Sequence, residues 1–255
     1  MLALLIGALA GTQAETIVTT YVDLKGKTQS VTATTITDNT TTLASGWYIV
    51  NTIVRNYNRI RVEDGAKVNL ILSDWSSFLN PKGMTVCEGS SLTVWAQSKG
   101  NGTWTIKDPA RESACIGGED VYGKGNSGVI TINGGDITAY KNLEIGFNAL
   151  GHLFPKGAAI GGSGHDGSYG TGSRATVIIN GGTIKAWGGY NSAAIGGGPN
   201  SKATVTINGG NIEATAELMG IQKGEQGDGI GGGFGDSTSV VTLNHDGGTV
   251  ITADD

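Results

Sequence analysis

Gly181-Gly-Thr-Ile-Lys-Ala-Trp187 returns as Gly209-Gly-Asn-Ile-Glu-Ala-Thr215, a step of 28 residues from Ile184 to Ile212. The same phrase occurs as Gly89-Ser-Ser-Leu-Thr-Val-Trp95, Gly134-Gly-Asp-Ile-Thr-Ala-Tyr140 and Gly247-Gly-Thr-Val-Ile-Thr-Ala253, with a weaker copy at Gly65-Ala-Lys-Val-Asn-Leu-Ile71. Repetition on this scale means one unit built many times, none of which buries its apolar face alone. Successive side chains of a strand point to opposite faces. Leu92/Val94, Ile137/Ala139, Ile184/Ala186, Ile212/Ala214 and Val250/Thr252 are therefore expected inside. Trp95, Tyr140, Trp187, Thr215 and Ala253 then share the outer face with Asp136, Lys185, Glu213 and Ile251.

Two further columns surround this phrase. One is Ala114-Cys-Ile-Gly117, Ala158-Ala-Ile-Gly161, Ala193-Ala-Ile-Gly196 and Asp228-Gly-Ile-Gly231. The other is Arg59-Ile-Arg-Val62, Met84-Thr-Val86, Val129-Ile-Thr-Ile132, Val177-Ile-Ile179, Val205-Thr-Ile207 and Val241-Thr-Leu243. Asn133-Gly-Gly, Asn180-Gly-Gly and Asn208-Gly-Gly join the second column to the third, with Asn244-His-Asp-Gly-Gly as an expanded copy. Asparagine and glycine accept the left-handed backbone of such corners. Three short strands, a corner and a return to the same column describe a coil of a parallel β-helix. Antiparallel propeller blades would need a two-residue hairpin in each repeat, and none is evident. The longer steps, 45 residues from Leu92 to Ile137 and 47 from Ile137 to Ile184, are assigned to loops at 98–112, 141–156 and 163–173. An additional coil through Trp104-Thr-Ile106 stays open.

Composition agrees. Forty-four of the 255 residues are glycine, without a three-residue period, and only four are proline, which excludes collagen. The net charge of −5 is spread along the chain, with no basic stripe for nucleic acid. No apolar run is long enough for a mature membrane span. Residues 1–14 carry a short apolar core, Leu2 to Ala10, and Thr12-Gln13-Ala14 before it would be cut. They are expected to be a secretory signal, the alternative being a buried first strand or helix. Residues 15–46, rich in threonine and valine, are expected to form a β cap over the solenoid end, and 47–255 the helix. Cys87 and Cys115 could pair, but their spacing does not demand it. Cys115 stands where sister repeats carry Ala159 and Ala194, which favours a small buried thiol.

For function, Trp95, Tyr140 and Trp187 are expected to stack at the ~4.8 Å inter-strand spacing into one exposed row. Aromatic faces stack on sugar rings, and Asp136, Lys185 and Glu213 would orient hydroxyls. The competing account is a packed aromatic ladder. Tyr190, Tyr169 and Phe147 could flank the row. The asparagine column is expected to be structural, its stacked amides bonding from coil to coil. Gly161-Gly-Ser-Gly-His-Asp166 resembles one copy of a calcium-binding nonapeptide, a motif that works in tandem. With Glu119, Asp120, Asp228, Asp236 and Asp246 it leaves calcium as the only cofactor to consider, and otherwise none is expected. Asp136 and Glu213 lie two coils apart, without a supporting acid or base. His152, His165 and His245 fall in separate loops without ligand spacing. The chain is therefore expected not to be an enzyme.

The run Ala193-Ala-Ile-Gly-Gly197 followed by Thr206-Ile-Asn-Gly-Gly210 resembles repeats of secreted and surface proteins of gut bacteria. Residues 15–255 are also similar to right-handed β-helical carbohydrate-binding modules that accompany plant-polysaccharide hydrolases, xylan binders among them. The resemblance implies a polysaccharide partner, xylan or another β-1,4-glycan, a neighbouring glycoside hydrolase domain, and a secreted or cell-surface location. The fold expected is all-β: a right-handed, pectin-lyase-like parallel β-helix of about six coils behind an N-terminal β cap. A structural or adhesive solenoid, or a β-helix lyase or hydrolase, are the alternative functions. The last strand lacks an evident cap after it, which suggests a fragment of a longer protein.

Overall fold

The computed structural model describes residues 13–107, 109, 112–119, 125–141, 156–164, 173–216, 227–236, 238–244 and 250–253. Most of the signal-like segment, residues 1–12, lies outside them. The fold is an all-β, right-handed parallel β-helix with three sheets. Each coil visits the first, second and third sheet in turn. Seven coils are seen among the described residues, because the first and third sheets each hold seven strands. Coil 3 closes through Thr103–Ile106, so the coil through Trp104 exists and the expected count of about six is one short. The helix begins at Thr42–Leu43, slightly before the expected boundary at Trp47. A two-residue strand is too short for alternation to reveal it.

Register explains the repeats. The first sheet stacks Ile60, Met84, Ile116, Ile160, Ile195 and Ile230. Ile60–Val62 and Met84–Thr85 thus belong here, not in the second column where their sequence pattern suggested. The glycine after each isoleucine from coil 4 onward has a positive φ, from 133° at Gly117 to 144° at Gly196. A Cβ there would overlap the carbonyl oxygen of the next coil at Gly117, Gly161 and Gly196. This column is glycine because backbone meets backbone.

The second sheet buries Val68, Leu92, Ile130, Val177 and Val205, and the third buries Val54, Phe78, Trp104, Ile137, Ile184 and Ile212. Together these form one continuous core. Phe78 and Trp104 stack inside it, ring centroids 5.4 Å apart. In coil 7 Ile251 pairs with Ile212, and Val250 with Asn211. Ile251 therefore points inward and packs against the core, the reverse of expectation.

At the N-terminus β1 (Thr16–Val22) and β2 (Thr28–Thr35) form an antiparallel hairpin. Only Thr34 and Thr35 pair with the first coil of the second sheet. The rest folds back across that sheet's outer face, where Gln97 Nε2 donates to Thr19 Oγ1 at 3.2 Å and to the Thr20 carbonyl at 3.0 Å. The hairpin so covers Trp47, Ile49, Ile71 and Trp95, an outward apolar patch that alternation alone leaves wet.

Candidate functional site

The outer face of the third sheet carries three rows. Asp136, Thr183 and Asn211 form one, Thr138, Lys185 and Glu213 the next, and Tyr140, Trp187 and Thr215 the last. Tyr140 and Trp187 are half-buried, with ring centroids 5.9 Å apart and planes inclined at 62°. Lys185 Nζ lies 3.6 Å from Glu213 Oε2, both side chains about half exposed. Such an exposed pair contributes little stability, so both groups are available to a ligand. A strand rises about 3.3 Å per residue, so Asp136 and Tyr140 stand about 13 Å apart across the sheet.

Trp95 is not in this row. Its strand, Ser91–Ala96, pairs with Val129–Ile132 of the second sheet, and Trp95 lies beside Ile71. Tyr21 sits 4.7 Å from Trp95 and 4.7 Å from Trp47 between ring centroids. Trp95 Nε1 donates to Asn69 Oδ1 at 3.0 Å. The ring is a packing residue beneath the hairpin. Residues that alternate identically serve either sheet, and only the corner tells them apart. In coils 2 and 3 a positive-φ glycine, Gly65 or Gly89, precedes the second sheet. In coils 4 to 6 Gly135, Gly182 and Gly210 precede the third. The two kinds of corner look alike in sequence.

The asparagine column is a ladder. Asn180 Nδ2 donates to Asn133 Oδ1 at 2.7 Å, Asn208 Nδ2 to Asn180 Oδ1 at 2.6 Å, and Asn244 Nδ2 to Asn208 Oδ1 at 2.7 Å. Cys87 and Cys115 are buried and not joined by a disulfide, and burial pushes the Cys115 thiol up to about 11. Arg59 is largely enclosed just before the first-sheet strand Ile60–Val62, where burial pulls its guanidinium down to about 10 against the attraction of Glu119. It donates to Thr85 Oγ1 at 2.7 Å and to the carbonyls of Lys82 and Ala114. Arg61 Nη2 completes the cluster at 2.6 Å from Glu119 Oε2.

Of the acids considered for calcium, Glu119 belongs to that arginine cluster. Asp228 Oδ2 accepts from Gly232 N at 3.0 Å. Burial works to raise the Asp236 pKa, but bonds from Ser239 and Thr238 hold it below the usual carboxylate range. Among the described residues no three His, Cys, Asp or Glu side chains gather as a metal site. Asp120, Asp246, His152, His165, Asp166, His245, Phe147 and Tyr169 lie outside the described residues, while Tyr190 is described and half-buried near Trp187 in sequence.

A family model described as a beta helix repeat matches residues 177–199 and 205–234. These stretches run from the second-sheet strand of coil 5 through coil 6 to the first-sheet strand of coil 7. No curated protein and no solved structure matches the chain. No described helix is long and apolar enough to cross a membrane.

Proposed function

We propose that this chain is a non-catalytic polysaccharide-binding module, taking xylan or another extended β-1,4-linked plant glycan on the outer face of the third sheet. The observation that carries the reading is the Tyr140–Trp187 pair: two large rings side by side and partly open on a face otherwise hydroxylated and charged. Inclined at 62°, they offer one flat stacking face and one edge, enough for a single sugar ring. Lys185 and Glu213 lie in the adjoining row within reach of that sugar's hydroxyls, and Asp136, one row further out, would meet another sugar of an extended chain. Trp95 has no part in it. The absence of catalysis belongs to the proposal and is supported by Asp136 and Glu213 occupying different rows, with Glu213 already beside Lys185. Export to a bacterial surface, beside a hydrolase domain, is the setting in which such a module works.

Isothermal titration of soluble xylan tests this. The wild type is expected to release heat, and Trp187→Ala to weaken affinity about tenfold or more, as loss of a central aromatic does. Equal affinities would remove the pair from the account, and a flat wild-type titration would favour a structural or adhesive solenoid.

A further inference from the structure

Trp75 is the least expected side chain in the molecule. It is 80% exposed and has φ of 66°, a left-handed backbone. Among the described residues the other non-glycine positions with positive φ are Asn191 and Asn200, an ordinary occupant of that region. A tryptophan there is strained, and strained bulky residues concentrate at functional sites. Its corner lies between the second and third sheets, where later coils use positive-φ glycines such as Gly100 and Gly135. The corner is built to hold it. Trp75 N donates to Asn101 Oδ1 at 3.0 Å, and the Asp74 carboxylate accepts from the backbone N–H groups of Lys99 and Gly100.

One coil beyond that turn, and joined to it where Lys99 and Gly100 donate to Asp74, a groove of about 440 Å³ runs along the same corner through coils 3, 4 and 5, with Trp75 just outside its lining. Ser98, Lys99, Asn133 and Thr183 line it, and the hairpin turn from Val22 to Gly26 walls it. The asparagine ladder ends here. Each amide donates toward the coil before it, so the chain of donors runs out at Asn133. Among the described residues Asn133 Nδ2 has no acceptor, and the coil it faces offers no asparagine at that place. Amides in a chain polarise one another, which makes the terminal donor a stronger one.

We propose that this corner is a saccharide subsite for an extended chain, with the Trp75 indole stacking one sugar at the coil-2 end and Asn133 Nδ2, two coils or about 10 Å further on, donating to a hydroxyl or ring oxygen of another sugar. Thr183 and Lys99 supply further polar contacts. The groove is lined by hydroxyls, three amides, an ammonium, the Asp23 carboxylate and backbone, with Val22, Leu24 and Ala96 its only apolar side chains. That lining suits a hydroxyl-rich ligand better than an apolar peptide. Thr183 belongs both to the groove and to the first outer row of the third sheet, so the two surfaces are continuous. The proposal takes its ligand class from the polysaccharide reading, but it rests on other residues.

Trp75→Gly is the decisive variant, because glycine relieves the backbone while removing the ring. Soluble xylan and hydroxyethyl cellulose are titrated into wild type, Trp75→Gly and Trp187→Ala, with a thermal melt of each. Acrylamide quenching adds a local readout, since Trp104 is buried and Trp47, Trp95 and Trp187 are half-buried. The expected result is a Trp75→Gly protein that melts no lower than wild type, binds roughly tenfold more weakly, and loses the polysaccharide-protected part of the quenching. Unchanged affinity in Trp75→Gly beside a weakened Trp187→Ala overturns the corner subsite and keeps the third-sheet site. Weakening in Trp75→Gly alone supports the corner and removes the Tyr140–Trp187 pair. A lowered melt in Trp75→Gly assigns the ring a packing role and ends the proposal. No heat from wild type with either polysaccharide overturns both.

Discussion

Replacing Asn180 by alanine interrupts the amide ladder at its centre. Two side-chain bonds go: the 2.7 Å donation to Asn133 Oδ1 and the 2.6 Å bond accepted from Asn208. The backbone bond from Asn180 N to the Ile132 carbonyl stays, so the corner keeps its path. A neutral hydrogen bond contributes about 0.5–1.5 kcal/mol net. Asn180→Ala should therefore cost about 2 kcal/mol. Asn244 lies at the exposed end of the ladder and makes one such bond, so Asn244→Ala should cost about 1 kcal/mol or less. For a chain of this size each 1 kcal/mol moves the melting temperature by about 2–4 °C. Thermal melts followed by circular dichroism should then fall by about 4–8 °C for Asn180→Ala and by about half that for Asn244→Ala. Asn180→Asp separates donor from acceptor. At neutral pH its carboxylate still accepts from Asn208 but faces Asn133 Oδ1 without a proton. It should be worse than alanine at pH 7 and recover relative to it in acid, where the protonated group donates again. Equal losses at positions 180 and 244, or an Asn180→Ala melt matching wild type, would mean that water replaces the ladder without penalty.

Two other outcomes are expected. Gly196→Ala adds a methyl group that overlaps the Gly231 carbonyl oxygen, at a φ of 144° where side chains are rarely found. Strain and overpacking together cost about 3 kcal/mol or more, whereas Gly65→Ala, with open space around its Cβ, costs only the roughly 1 kcal/mol of a left-handed backbone; urea unfolding should rank them in that order. Both thiols should resist an aromatic disulfide reagent at pH 8 in the folded protein and react together after denaturation, because they are buried and Cys115 stays protonated well above that pH. Rapid labelling of Cys115 in the native state would contradict its place in the core.

Repetition made the architecture legible. Where corner glycines and strand alternation coincide, from Ile137 to Ala214, inward and outward residues follow the sequence pattern residue for residue, and the asparagine ladder follows from the corner spacing. The early coils were harder to read because one alternating pattern suits two sheets. Leu92 and Val94 point inward in either, so nothing in their own strand reveals that Trp95 faces the hairpin. The signal lay elsewhere: Trp47, Ile49, Ile71 and Trp95 make an outer surface too apolar to be left in water, and Ile17, Tyr21 and Val31 supply its cover. Trp104 reads as an outlier among beta-branched neighbours, and only the width of the interior shows that an indole fits beside Phe78. Trp75 carries no sequence signal at all. Its interest comes from a dihedral angle.

The glycine column divides the labour of the surface. Along the first sheet, neighbouring turns of the solenoid touch main chain to main chain, and any added carbon pries them apart. Along the outer rows of the third sheet, side chains can be exchanged with nothing behind them disturbed. A scaffold tethered on one side and permissive on the other can acquire a new ligand preference by swapping a handful of outward residues while its pitch stays fixed.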